Sequence, residues 1–284
     1  MARIIFQTIA FSLLLFSFQP TRCQEHLLTK KMTTMTRQEI DQLLPLLHQK
    51  FPALDDRLRE LCRLRLDTPY DLKALGDGAG REPNPVFRVD RTNCTVQILT
   101  NVALASAFSY QQAESLMAYI NYYPAAAGTN PISYENRRHF TSDRLLTSDY
   151  FEAITATIVG PSELDTARVV LNRQRDGSHF LPIAWEKKIE LPYIPQSKVT
   201  PALLKRLPGV VGVGLVRTSL FSKGIIIAHE GMILDGKNFV HASSTAMKVV
   251  NEDFYSYIQK TKKNGRPLSD GIVIYLMKDG SGRK

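Results

Sequence analysis

Cysteine is scarce in this 284-residue chain: Cys23, Cys62 and Cys94 are the whole complement. Three cysteines are too few for a disulfide framework. With 16 glycines and 15 prolines, the chain cannot be a collagen-like or low-complexity fibre. Its apolar fraction of 44% excludes a disordered chain. No HExxH and no paired CxxC occurs, which leaves a zinc site built from His229, His241 and a carboxylate without motif support. No internal repeat and no clear linker divides the sequence. No apolar run reaches the roughly 20 residues of a membrane-spanning helix. The candidate run, residues 4–18, is short and interrupted by Gln7, Thr8, Ser12 and Ser17.

That run does fit a secretory leader. Arg3 supplies the positive start, Leu13 to Phe16 the apolar centre, and Pro20 to Cys23 a polar end. Residues 1–23 are expected to be a signal peptide in bacterial style. Pro20-Thr21-Arg22 departs from a lipobox, so export to the periplasm or the medium is expected, rather than lipidation or stable membrane insertion. The chain carries 36 Lys+Arg against 27 Asp+Glu, a formal charge of +9. Cleavage would remove Arg3 and Arg22 and leave 34 basic against 27 acidic residues, or +7. Such an excess suits an anionic polymer, a nucleic acid or a lipid surface, and charge alone does not choose. Export removes cytosolic nucleic acid as a partner.

Residues 24–284 are read as one α+β domain with an N-terminal helical extension over about 36–75. Thr36 and Glu39 fit a capping box, and Pro45 and Pro52 are expected to break the helical region into two or three pieces. Cys62 lies beside Leu58 and Leu61 on the inward stripe of the last piece and reads as a small core residue. Asp77-Gly78-Ala79-Gly80 and Pro83-Asn84-Pro85 mark a loop, and residues 86–89 a short extended entry. Helices follow over 94–108 and 110–123, then an irregular segment over 131–149, then helical or mixed structure over 150–158 and 162–173. The period then changes. Strands are expected over 184–191, 210–217, 224–233, 239–242 and 271–277, with a short helix begun by Thr200-Pro201. Helices first and a mostly antiparallel sheet afterwards give α+β.

Chemistry centres on Cys94, His229 and His241. Asn93 is a good N-cap, and Ile98, Val102 and Ala105 continue an inward stripe from Cys94. The thiol therefore falls in the first turn of a buried helix, where the dipole and unpaired N–H groups favour thiolate and lower its pKa. Residue type alone fits a plain core cysteine better. Ile225, Ile227 and His229 share one strand face and Phe239 and His241 share the next. A three-residue turn at Leu234-Asp235-Gly236 would pair 229 with 241; a two-residue turn would turn the rings apart. One buried and one surface histidine fits the spacing equally well. A neutral histidine beside a thiol is a general base, and a second polar residue behind it fixes its tautomer. His139, within Asn136-Arg137-Arg138-His139-Phe140, lies beside arginines able to hold a carboxylate or phosphate; Arg137 reads as the more solvated of the two. His26, His48 and His179 read as terminal, surface and turn residues.

This order of residues resembles the NlpC-type branch of papain-like cysteine hydrolases, and within it the bacterial domain-of-unknown-function 1460 family. The stretches that carry the resemblance are Asn93-Cys94-Thr95 leading into Leu104-Ala105, Arg138-His139-Phe140-Thr141-Ser142-Asp143, Leu191-Pro192-Tyr193-Ile194-Pro195, and His229-Glu230-Gly231 followed by His241-Ala242-Ser243-Ser244. The resemblance implies an N-acetylmuramoyl-L-alanine amidase that cuts the lactyl–L-Ala amide of peptidoglycan fragments, with a preference for anhydromuropeptides. It implies Cys94 as nucleophile, His229 as base and His241 as the orienting third member, with Asn93, Arg138, His139, Ser243 and Ser244 lining the substrate groove. It implies a papain-like core with the nucleophile helix packed on the sheet, no cofactor, no metal and a monomer. A stem-peptide endopeptidase and a non-catalytic wall-binding module are the alternatives. The chain departs from the branch at Asn93, where Asp is usual, at Gly209-Val210, where Gly-Asp is usual, and at Arg144, where Trp often stands.

Overall fold

The computed structural model describes residues 25–76, 84–124, 132–261 and 265–280. The expected signal peptide and, of the expected loop, Asp77-Gly78-Ala79-Gly80 and Pro83 lie outside them. Helix α1 (Arg37–Lys50) begins at the expected capping box: the Thr36 side chain accepts from the Glu39 N–H, and the Glu39 side chain from the Thr36 N–H. It runs through Pro45 without ending there. An interior proline costs about 3 kcal/mol. Leu43, Leu44, Leu46 and Leu47 are all buried around it, at about 1.5–3 kcal/mol each, while Pro45 faces solvent. Burial therefore outweighs the lost hydrogen bond. Helix α2 (Leu54–Leu64) follows, and its Cys62 is buried with Sγ 3.4 Å from Met232 Sδ.

Helices α3 (Cys94–Ser106) and α4 (Tyr110–Asn121) are where the periodicity puts them. The segment read as irregular holds a helix, α5 (Thr141–Thr147). Its Ser142, Asp143 and Arg144 are buried, and such polar residues hide the apolar stripe by which a helix is recognised. Strand β1 (Phe151–Ala153) and the single-turn α6 (Thr155–Ile158) lead to β2 (Asp165–Leu171). This last segment is a strand and not helical, because Ala167, Val169 and Leu171 alternate with exposed Thr166 and Arg168. Strand β3 (Lys187–Pro195) passes through Pro192. Its ladder with the final strand holds only Ile194 and Pro195, so Pro192 has no bond to break on that side.

After α7 (Pro201–Leu204), capped by Thr200, come β4 (Val210–Val216), β5 (Ile227–Leu234), β6 (Asn238–Ser243), β7 (Lys248–Asp253), α8 (Phe254–Ile258) and β8 (Gly271–Met277). The eight strands form one sheet in the order β2-β3-β8-β4-β5-β6-β7, with β1 also on β8, and every pair is antiparallel. The fold is α+β as read from the sequence.

Strand alternation gives the sheet two apolar faces. Val210, Val216, Val273 and Tyr275 join the cluster formed with α1 to α4, whereas Val211, Val213, Leu215, Ile272 and Ile274 join a second cluster with α6, α7 and α8. Among the described residues, no helix is long and apolar enough to cross a membrane.

Candidate active site

Cys94 opens α3 because Asn93 ends the extended approach to it. The Asn93 Oδ1 accepts the Val96 N–H at 2.9 Å, and Ile98, Val102 and Ala105 are buried behind it. This use of Asn93 differs from the expected groove residue. It is buried, its oxygen is committed to the cap, and its Nδ2 reaches the Leu72 carbonyl at 3.4 Å. Neither Cys62 nor Cys94 is in a disulfide, and Cys94 is half-buried.

The two histidines meet by a route slightly different from the one the spacing suggested. The turn between β5 and β6 has three residues, but they are Asp235, Gly236 and Lys237, with Leu234 paired to Asn238 and Met232 to Val240. Asp235 and Gly236 take left-handed conformations, φ 53° and 64°, and a Cβ on Gly236 would lie 2.2 Å from the Leu204 carbonyl oxygen. The register is thus shifted by two residues, which preserves the face. His241 is opposite Gly231, and His229 reaches it diagonally: Nε2 of His229 lies 2.9 Å from Nδ1 of His241. A second correction concerns Ile227. The β4–β5 ladder pairs Leu215 with His229 and Val216 with Ile227, leaving Ala228 as a bulge. The bulge puts Ile227 on the opposite face from His229, against expectation.

His241 is buried, and its other nitrogen, Nε2, lies 3.3 Å from Glu252 Oε1, while Lys260 pairs with Glu252 Oε2. The rings of Phe239, stacked at 4.4 Å, and Tyr257, edge-on at 4.9 Å, fix the plane of His241. Burial, then the His241 and Arg217 charges, holds His229 down at about 3; burial also lowers His241. Both rings are neutral near pH 7.

The thiol shifts the other way from the expectation. Burial and then the Glu230 carboxylate push Cys94 up to about 11. The Glu230 and Thr95 N–H groups that favour thiolate are outweighed. Thiol and imidazole therefore rest uncharged, an arrangement suited to proton transfer during attack rather than before it.

Two clefts meet at Cys94 and His229. One, of about 400 Å³, has apolar walls that include Leu75, Phe140, Phe180 and Ile227, together with Arg137 and His139. The other, of about 550 Å³, is more polar and includes His241, Ser243, Ser244, Arg217 and Tyr257. His139 is in the first cleft, bonded through Nε2 to the Tyr134 carbonyl at 2.6 Å. Arg138 is not in either lining, against expectation. Its guanidinium is turned inward to the carbonyls of Tyr119, Tyr122 and Thr147 and stacks over Tyr123. Arg137, read as the more solvated neighbour, is buried and occupies the cleft wall instead. Ser243 accepts the Ala246 N–H at 3.1 Å, shaping the turn at the rim of the second cleft.

Glu230 was not singled out by sequence reasoning. It follows His229, its backbone N–H faces the Cys94 sulfur, and its side chain is buried. Arg144 donates to Oε2 at 2.6 Å, Tyr275 to the same oxygen at 2.9 Å, and Thr141 to Oε1 at 2.9 Å. This network ties α5 and β8 to the strand that carries the imidazole. Among the described residues, no group of three or more His, Cys, Asp or Glu side chains is arranged to hold a metal ion.

A family model described as AmiA-like, N-acetylmuramoyl-L-alanine amidase-like, matches residues 60–266. No curated protein sequence matches the chain. The fold is similar to that of a Legionella pneumophila protein assigned to the family DUF1460, with TM-score 0.66 and 20% identity over 85% of this chain and 94% of that one. It is also similar to an N-acetylmuramoyl-L-alanine amidase from Bacteroides uniformis, with TM-score 0.59 and 19% identity over 79% of this chain and 99% of that one. At such identities the likeness to these structures concerns the fold, a mixed helix and antiparallel-sheet architecture.

Proposed function

The chain belongs to the AmiA-like, N-acetylmuramoyl-L-alanine amidase-like family, and from that premise we propose that it is an exported, cysteine-dependent hydrolase that cuts the lactyl–L-Ala amide of peptidoglycan fragments on a papain-like, NlpC-type core. One observation carries the reading above all. The His229–His241 pair, 2.9 Å apart, and the helix-start thiol of Cys94 line one cavity.

With Nε2 of His229 engaged by His241, Nδ1 is the nitrogen left for the thiol. The Cys94 sulfur attacks the lactyl carbonyl carbon while His229 Nδ1 takes the thiol proton. The carbonyl π electrons move to oxygen, where first-turn N–H groups of α3, that of Cys94 among them, are the donors for the negative charge. Collapse expels the L-Ala nitrogen, which receives the proton from His229. Water then attacks the thioester with His229 as base, giving the lactyl carboxylate and the thiol again. Two clefts diverging from the sulfur suit a substrate with unlike halves, a sugar and a peptide. The cationic Arg137 and Arg217 along them suit the carboxylates of the stem peptide.

The test is incubation of the purified protein with defined anhydro and reduced muropeptides, followed by product masses. Free sugar acid plus intact peptide is expected, with turnover reduced to background in Cys94→Ala. Clipped peptides would instead identify a stem-peptide endopeptidase. Binding without any turnover would identify a wall-binding module.

A further inference from the structure

We propose that Glu252 is a positioning residue that decides which nitrogen of His229 carries the proton, and that Lys260 in turn orients Glu252. The inference rests on the cysteine–histidine reading above and concerns a side chain outside the three expected catalytic residues.

An ionised carboxylate only accepts hydrogen bonds. Lys260 pairs with Glu252 Oε2, and together with His241 it offsets the effect of burial and lowers the carboxyl pKa. The 3.3 Å contact from Oε1 to His241 therefore needs the His241 proton on Nε2. A neutral imidazole has one N–H, so His241 Nδ1 bears a lone pair. The 2.9 Å contact to His229 then needs the His229 proton on Nε2. What remains is a lone pair on His229 Nδ1, the form a general base requires. The proton placement is relayed from the Lys260–Glu252 ion pair through two rings. The groove-facing charges around these rings are Glu252, Lys260 and Arg217; Phe239 supplies a ring contact, and Tyr257 a ring contact and a phenol that burial, then Glu252, pushes up to about 12 and so keeps neutral. When His229 takes the thiol proton, its Nε2–H still points at His241, and the Glu252 charge favours the imidazolium.

Glu252→Gln exposes this relay because it keeps the shape. The Lys260 ammonium has no acceptor capacity, so it draws the amide oxygen to itself and turns the NH2 toward His241. That forces the proton of His241 onto Nδ1 and the proton of His229 onto Nδ1, leaving no lone pair for the thiol. Nitrogen-15 histidine spectra of the substrate-free protein at neutral pH are expected to place the His229 proton on Nε2 in the natural chain and on Nδ1 in Glu252→Gln. The kcat should fall by about 10²–10⁴-fold with KM little changed, the scale seen when a catalytic histidine is held in the wrong tautomer. Adding Lys260→Met frees the amide to turn its oxygen toward His241, and is expected to restore the tautomer and at least tenfold of the lost kcat.

A merely structural Glu252 would give neither the reversal nor the rescue. Unchanged His229 tautomers in Glu252→Gln, or a double variant no better than the single one, would overturn the proposal. The spectra need no substrate. A reversed tautomer in a protein that cuts no muropeptide would therefore leave the relay standing and remove the amidase reading instead.

Discussion

Arg144 and Glu230 form an ion pair at 2.6 Å with both side chains fully enclosed, one residue along the strand from His229. Burying two charges is expensive, and the pair holds only while both members are present and bonded. Thr141 and Tyr275 supply the remaining donors to the carboxylate. Stability and catalytic geometry share this anchor, because the Glu230 N–H faces the nucleophile.

Arg144→Met should therefore destabilise the protein by about 3–5 kcal/mol, the cost of leaving one buried charge unpaired. Urea unfolding measures it. Pairing that change with Glu230→Leu should recover much of the loss, since two apolar side chains replace two charges. A double variant less stable than Arg144→Met alone would count against a buried pair as the source of the effect.

Acid stability follows from the histidines. His229 is held down at about 3 and His139 at about 4, in both cases first by burial. Their ordinary value, 6.5, applies when the chain unfolds. Between that value and the folded ones, the unfolded chain binds more protons, so stability is full above pH 6.5 and declines as pH falls toward 3. The lowered carboxylates Glu39, Asp67 and Asp90 act only below about 4.5, their unfolded range. Calorimetry should find Tm falling already between pH 6.5 and 5, and His139→Gln should flatten part of that slope. A Tm flat across that window would contradict it.

Thiol chemistry offers a separate check. With Cys94 pushed up to about 11 by burial and then Glu230, its rate of alkylation by iodoacetamide should keep rising through pH 9 and 10. A plateau reached near neutral pH would mean a preformed thiolate, and proton transfer would then precede attack. Cys62, also pushed up by burial, to about 12, should stay unmodified until the protein unfolds.

Much of this site was legible as local pattern. Asn93 as a cap, the helix behind Cys94 and the β8 strand at Gly271–Met277 follow from capping chemistry and periodicity, which act over a few residues. The shared face of His229 and His241 was legible because strand alternation survives a two-residue slip. What escaped depends on distant partners. The bulge at Ala228 has no signature in its own residues. Strand β7 was missed because Val249 is its one well-buried side chain, and Glu252 was missed with it. The roles of Arg137 and Arg138 were exchanged because on an irregular segment neither 3.6 nor 2 sets which neighbour points inward. The sign of the Cys94 shift was lost because the helix-start rule sees the dipole, and neither the burial that tertiary packing imposes on the thiol nor, after it, the Glu230 carboxylate brought in by β5.

Gly231 carries the final prediction. It faces His241 across the hairpin, and a Cβ there would lie 2.4 Å from Phe239 Cε2 and 2.8 Å from His241 Cβ. Neither neighbour can yield freely: Phe239 is fully buried and stacked on the His241 ring, and Phe254 packs against it at 5.2 Å. Gly231→Ala must therefore move β6 or the two rings, at about 1–3 kcal/mol for overpacking. A displacement of about 1 Å between His229 and His241 is enough to cost on the order of 10²-fold in rate. The variant should fold, with a lowered Tm, bind muropeptides with near-normal affinity and turn them over at roughly one-hundredth of the normal kcat. Full activity in a folded Gly231→Ala protein would mean that the imidazole pair tolerates separation, and that the close diagonal contact does not set the rate.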